Sequence, residues 1–402
     1  LLDQVGERLQ RRTQGVDRFV VGPDPCEPAR TIGVGVVHDG NVPGRRRCDP
    51  PERRRPARCI AIRSAGYIVD VGCIGYYVHH VGAGHERRFR AIADAAPDID
   101  FVPISELEFD GGVLLPSDVP EVQTDDPTND PTAGGQLHWA PLHATTATRR
   151  LKAIVDWLDA AKPTGVVVDD SVEMALACRL AGVRTIVVRR HGDRTDPAHR
   201  LAFGSAVRLL APFPGEFETS TDPSTIGKTD HVGFIRPSGL PAHACPSPVT
   251  GEDAVVLWGG GGGHIPGRRL DLIASVVPGQ VFCVGCDVWA ADDPPRSDAV
   301  VSLGRVDDPR GLLLARPLVV GSCGNNTVAL VATSECPFVA LPQPRPFDEQ
   351  VQLAEALEAV GVAVAAPDGD DPSAWCEAIA RAESRSKRWA RFEAPVDGAS
   401  AA

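Results

Sequence analysis

Residues 254–267 read AVVLWGGGGGHIPG. Ala254 to Trp258 is an unbroken apolar run, the pattern of a strand buried on both faces of a parallel sheet. Gly259, Gly260, Gly261, Gly262 and Gly263 follow directly, then His264, and a helical segment runs from Leu270 to Val276. A strand, a glycine turn and a helix in that order open a parallel α/β unit. Side-chain-free turns at such a point let backbone N–H groups and a helix N-terminus face a phosphate. His264 then either donates to a phosphate oxygen or is a plain loop histidine.

The same grammar extends in both directions. Downstream, strands are expected at Val281–Val284, Leu318–Gly321 and Phe338–Leu341, and helices from Val328, over Glu349–Val360 and over Ser373–Phe392. A second glycine turn, Ser322-Cys323-Gly324-Asn325-Asn326-Thr327, follows the strand ending at Gly321. Upstream, residues 236–252 hold Pro237, Pro241, Pro246 and Pro248 and read as a linker. Before it, Cys73–Val78 is a strand running into His79-His80-Val81-Gly82-Ala83-Gly84-His85, with a helix over Arg87–Ala96. Further strands are expected at Phe101–Ile104, Gly165–Val168 and Thr185–Val188, with helices at Leu151–Ala161 and Val172–Ala181 and a long loop over 110–146. The expected architecture is α/β, with two Rossmann-like domains, 73–235 and 253–392, facing each other across a cleft. Parallel sheets bind ligands at the carboxyl ends of their strands.

Residues 1–72 differ from the rest. They carry 13 Arg and no Lys, with Arg45-Arg46-Arg47 and Arg53-Arg54-Arg55 set among prolines, and no sustained period. The segment is expected to be a poorly ordered extension rather than a basic arm for an acidic partner. The sequence starts at Leu1 and its only methionine is Met174, which reads as a fragment or as translation from upstream of the true start.

The net charge of −12 argues against a nucleic-acid partner, which calls for a basic face. No apolar run reaches the ~20 residues of a membrane span, so at most peripheral membrane contact is compatible with the sequence. Eleven scattered cysteines do not make a disulfide scaffold, and the lone CxxC, Cys283 to Cys286, lies in an apolar run and reads as buried strand thiols. With no visible signal peptide, a reducing cytoplasmic location is expected.

Three stretches resemble the nucleotide-sugar domain of GT-B glycosyltransferases, nearest to MurG-type UDP-N-acetylglucosamine transferases and their actinobacterial relatives. They are Trp258 to His264, Gly321 to Thr327, and Leu341-Pro342 through Phe347-Asp348-Glu349-Gln350. In the first half, Gly82-Ala83-Gly84-His85 with Arg88 resembles the acceptor-side glycine loop. The resemblance implies a metal-independent hexosyltransferase that uses a UDP- or dTDP-sugar as substrate, with no bound cofactor and no metal site. Its acceptor would be a small molecule or a lipid-linked hydroxyl. It implies donor contacts from Gly259–Gly263, His264, Gly324, Asn325, Asn326, Thr327, Asp348 and Gln350, with Glu349 less favoured. Gly82, Gly84, Arg88 and Asp193 would serve the acceptor.

His85 is the candidate general base, because imidazole titrates near working pH; helix capping or phosphate contact is the competing reading. Asp169 and Asp170 end a strand beside the cleft and are expected to cap the next helix rather than to act in the cleft, and the polar run Arg189 to Asp196 to hold either substrate charge or internal salt bridges. His79 and His80 are expected on opposite faces of a strand, in structural roles. One position departs from the family. Where it carries an acid for the ribose hydroxyls, three residues after the Thr, this chain has Leu330, which cannot accept a hydrogen bond. A GT-B binding protein without turnover and a sugar-nucleotide epimerase are the alternatives.

Overall fold

A computed structural model describes residues 60–64, 67–119, 127–235, 247–259 and 263–392. Residues 1–59, most of the linker and Gly260–Gly262 lie outside the described residues. Strands β1 (Ile60–Ser64) and β2 (Tyr67–Val71) pair as an antiparallel hairpin, inside the stretch expected to be irregular. Both are short, β-branched-rich runs that the surrounding arginines and prolines mask.

The first parallel unit follows as β3 (Ile74–Val78), α1 (Ala83–Ala95), β4 (Phe101–Ser105), β5 (Val113–Leu114), α2 (Thr145–Ala161), β6 (Gly165–Asp169), α3 (Val172–Leu180), β7 (Thr185–Val188), α4 (Pro197–Ser205), β8 (Arg208–Ala211), α5 (Pro223–Ile226) and β9 (Thr229–His231). The second comprises β10 (Ala254–Leu257), α6 (Gly267–Val276), β11 (Val281–Val284), β12 (Val300–Gly304), β13 (Leu318–Gly321), α7 (Asn325–Ser334), β14 (Phe338–Ala340), α8 (Glu349–Val360), β15 (Val364–Ala365) and α9 (Pro372–Arg385).

The sheets are ordered β5-β4-β3-β6-β7-β8-β9 and β12-β11-β10-β13-β14-β15, with every neighbouring pair parallel. In each, the chain starts at a central strand, runs outward, and returns to the other side of that strand. The reversal falls between β3 and β6 in one sheet and between β10 and β13 in the other. Loops diverge at such a switch point and leave a crevice beyond the strand ends. Register brings Val78 beside Asp169, and Leu257 beside Gly321, so each crevice is framed by residues at matched strand ends.

Several helices begin earlier than the sequence suggests, because the glycine turns run straight into them: Gly84 lies within α1 and Gly267 within α6. Elsewhere side-chain caps fix the starts: Ser171 accepts from Met174 N, Asp196 from His199 N and Asp371 from Ser373 N.

Each sheet is covered on both faces by apolar clusters. One cluster joins the two units: Phe213, Phe217 and Phe234 from the first, and Val328 to Ala332, Phe338 and Trp389 from the second. The last helix was expected to continue to Phe392. It ends at Arg385, and 386–392 form a 3₁₀ segment that crosses back to the first unit. There Phe392 meets Phe217 at 4.9 Å and Trp389 meets Phe234 at 6.3 Å. Trp389 is fully buried and its Nε1 donates to Cys336 O at 3.2 Å. Of the CxxC pair, Cys283 is buried in β11, whereas Cys286 is exposed beyond the strand end and disulfide-bonded.

Leu330 belongs to this joining cluster and is 5% exposed. It is a core residue of α7, not a vacant ribose contact. A carboxylate introduced there would be buried without a partner. Leu330→Glu should therefore cost about 3–5 kcal/mol and lower the melting temperature by several degrees, while Leu330→Met stays close to the unmodified protein. Equal melting points for the Glu variant and the unmodified protein, measured by calorimetry, would contradict this placement.

Candidate active site

Asp169 ends β6 and is fully buried. The α3 N-terminus is capped by Ser171, so Asp169 does not serve the capping role expected of it. Its carboxylate instead accepts from Arg88 Nη1 with both oxygens, at 2.7 Å each, and from the Tyr76 hydroxyl at 3.3 Å. His85 Nδ1 stands 2.9 Å from Oδ1, close enough for an ion pair but not aligned for a hydrogen bond. Burial alone would raise the Asp169 pKa; Arg88 and then His85 outweigh it and hold the carboxyl well below the usual range. Asp169 is thus ionised at neutral pH. Arg88, expected on the acceptor, is 5% exposed and turned inward to this charge.

His85 lies in the first turn of α1, which opens at Gly82 with φ of +81°. A Cβ on Gly84 would sit 3.2 Å from Asn326 Nδ2, so the acceptor-side turn of the first unit abuts the start of α7 in the second.

His79 and His80 lie past the end of β3, where the strand's alternation no longer applies. Their rings stack at 4.9 Å and 12° instead of pointing to opposite faces. His80 faces Glu106 at 3.4 Å and Asp118 at 3.7 Å. His79, His80 and Asp118 could gather around a metal ion, as could His138, Asp196 and His199. The donor sets do not fit. Val81 N donates to His79 Nδ1 at 3.1 Å, and Arg194 Nη1 lies 2.9 Å from His199 Nε2. Each imidazole spends its lone pair on that donor and carries its proton on the other nitrogen.

On the donor side, Gly324 precedes α7 without any side-chain cap, and Asn325 Nδ2 is buried with no hydrogen-bond partner. The first turn of this ten-residue helix therefore keeps its N–H groups for another acceptor. Asn326 and Thr327 are part-exposed beside it. Gly263 has φ of +75° and its carbonyl accepts from Trp258 Nε1 at 2.9 Å; His264 is exposed.

Gln350 is buried, and its Oε1 accepts from Cys323 N and Gln343 N at 2.9 Å each. Gln343, 1% exposed, donates to Gly259 O at 3.2 Å. The Gln350 carboxamide thus ties the turns beyond β13 and β14 together instead of being presented to a sugar, and Gln343 extends the link to the turn beyond β10. Gln343 was missed because nothing in its local pattern separates it from a loop residue. Asp348 is exposed, while Glu349 is buried against Arg190 at 3.0 Å and Arg194 at 3.3 Å. Asp193 is exposed; its side chain accepts from Thr195, and its N–H donates to Phe347 O at 2.6 Å.

No protein-family model matches the chain, and no curated protein matches it. Solved structures do. The spinosyn rhamnosyltransferase SpnG superposes with a TM-score of 0.55 at 15% identity, over 82% of this chain and 96% of its own. The chain has the GT-B fold. A UDP-glucosyltransferase from Polygonum tinctorium that glucosylates indoxyl gives 0.57 at 12% identity, over 82% and 96%. MurG of Acinetobacter baumannii gives 0.50 at 14% identity, over 81% and 97%, so the likeness does not single out the MurG type. Among the described residues, no helix is long and apolar enough to cross a membrane.

Three histidines around these loops are held neutral. Burial, reinforced by His85 for His79, by Arg189 for His191 and by Arg194 for His199, lowers each to about 4. Between about pH 4 and the ordinary value near 6.5, the unfolded chain binds more protons than the folded one, so stability falls as the pH drops. The melting temperature should decline from pH 7 to 5.5, above the range where most carboxylates titrate. A flat profile over that interval would show that these imidazoles are not desolvated.

Proposed function

We propose that the chain transfers a sugar from a UDP- or dTDP-linked donor to an acceptor hydroxyl, on a small molecule or a lipid-linked carrier. The observation that carries this reading is the His85–Asp169 pair at the switch point of one sheet, one residue from the Gly84–Asn326 contact with the uncapped start of α7 in the other. A base and an anion site meeting across two switch points suit a reaction that removes a proton on one side and releases a diphosphate on the other. The GT-B fold supports the reading, and SpnG is described in complex with thymidine diphosphate and with spinosyn aglycone.

His85 Nε2 takes the proton of the acceptor hydroxyl as its oxygen attacks the anomeric carbon. The bond from that carbon to the diphosphate oxygen breaks, and its electron pair leaves with the nucleotide. Asp169 remains ionised beside the ring and stabilises the imidazolium that forms. The first-turn N–H groups of α7, with Asn325 Nδ2, receive the departing negative charge. A single displacement of this kind inverts the anomeric centre.

Nucleotide release from UDP- and dTDP-sugars, with and without an acceptor panel, tests the proposal. Release should require an acceptor, and His85→Gln should lower kcat by about 10²–10⁴ with the affinity for UDP or dTDP unchanged. An undiminished rate in His85→Gln would remove the base assignment. Sugar rearrangement without acceptor would favour the epimerase, and neither reaction the binding protein.

A further inference from the structure

We propose that the loop after β7, residues 189–196, is a clasp that sets the backbone of the turn Phe347–Asp348, and that Arg190 and Gly192 are positioning residues for the donor sugar. The inference deepens the reading above and rests on it for the identity of the ligand.

Phe347 and Asp348 are consecutive non-glycine residues in the left-handed region, with φ of +63° and +54°. Such backbone persists only where surrounding contacts over-determine it, and it gathers at ligand clamps. The contacts come from loops and a helix of the first unit. Asp193 N donates to Phe347 O at 2.6 Å. The Phe347 ring sits among His138 at 5.2 Å, His199 at 4.8 Å and the Arg194 guanidinium at 5.1 Å. Glu349 receives Arg190 and Arg194. Gly192 makes the close approach feasible: its φ is +111°, and a Cβ there would lie 2.7 Å from Phe347 O.

Residues 347 and 349 are therefore both gripped by the first unit. Asp348 between them is exposed, and its side chain does not cap α8. The clasp neutralises the Glu349 charge and leaves Asp348 as the carboxylate free to accept a sugar hydroxyl. Arg190 also pairs with Asp170, the neighbour of Asp169, so the residue that grips the donor-side turn is anchored beside the His85–Asp169 pair. The sugar-facing carboxylate and the base are thus held from one strand end.

Two measurements on the full-length protein test this. In hydrogen exchange without ligand, Gly192→Ala and Arg190→Met should each speed exchange of amides in residues 345–350 about tenfold while leaving β13 unchanged. Unchanged exchange in both variants would overturn the clasp. In calorimetry with UDP, UDP-glucose, dTDP and dTDP-glucose, both variants should bind the free nucleotides as the unmodified protein does, but lose the extra affinity contributed by the sugar. Retention of that extra affinity alongside faster exchange would overturn the positioning role. Failure of the unmodified protein to bind any of the four would count against the donor reading and with it the positioning role, leaving the clasp to be judged by exchange alone.

Discussion

The ionised carboxylate of Asp169, buried at the end of β6, is the constraint around which the first unit is arranged. A charge in that position costs several kcal/mol unless it is paired and hydrogen-bonded. Arg88 and His85 meet the demand, and both project from α1. Satisfying Asp169 therefore fixes how α1 docks on the sheet. That docking in turn fixes the turn Gly82–Gly84, and through Gly84 its distance from Asn326. A buried ion pair of this kind adds little to net stability; what it defines is the position of α1, which brings the His85 ring to 2.9 Å from the carboxylate.

The second unit solves a different problem. Its turns at the ends of β10 and β13 carry glycines, the turn after β14 carries prolines, and few side chains are at hand to hold them. Gln350 and Gln343 do so by accepting and donating backbone hydrogen bonds among all three. The units are then joined at two places of opposite character, an apolar cluster around Phe217, Phe234 and Trp389, and a polar clasp around Phe347 and Glu349.

Much of this was legible in the sequence, because continuous apolar runs followed by glycine turns identify parallel strands at switch points. The central strands and their helices were placed to within a few residues. The edge strands β5, β9, β12 and β15 were missed, and so were the interior strand β8 and the helices α4 and α5 beside it: tertiary pairing rather than local pattern makes them. His85 was singled out from its place after a glycine turn. Its partner was not. Asp169 before a helix has the local signature of a cap, and only the approach of α1 from far along the chain gives it another role. Leu330 shows the converse error, in which an expected polar role obscured an ordinary core position. The Arg189–Asp196 run was read as either substrate contact or internal network. Arg190 and Arg194 make internal pairs, and which turn they grip depends on the packing of the two sheets.

The central claim is that the two sheets build one site for a nucleotide-linked sugar. Thermal unfolding in the presence of a panel of nucleoside diphosphates and nucleotide sugars tests it most directly, since a ligand bound only by the folded chain raises its stability in proportion to the logarithm of ligand over Kd. The account expects the melting temperature to rise with UDP- or dTDP-sugars at millimolar concentration, and the rise to vanish when Gly324 is replaced by valine. No shift with any nucleotide or nucleotide sugar, in a protein that unfolds cooperatively, would contradict it.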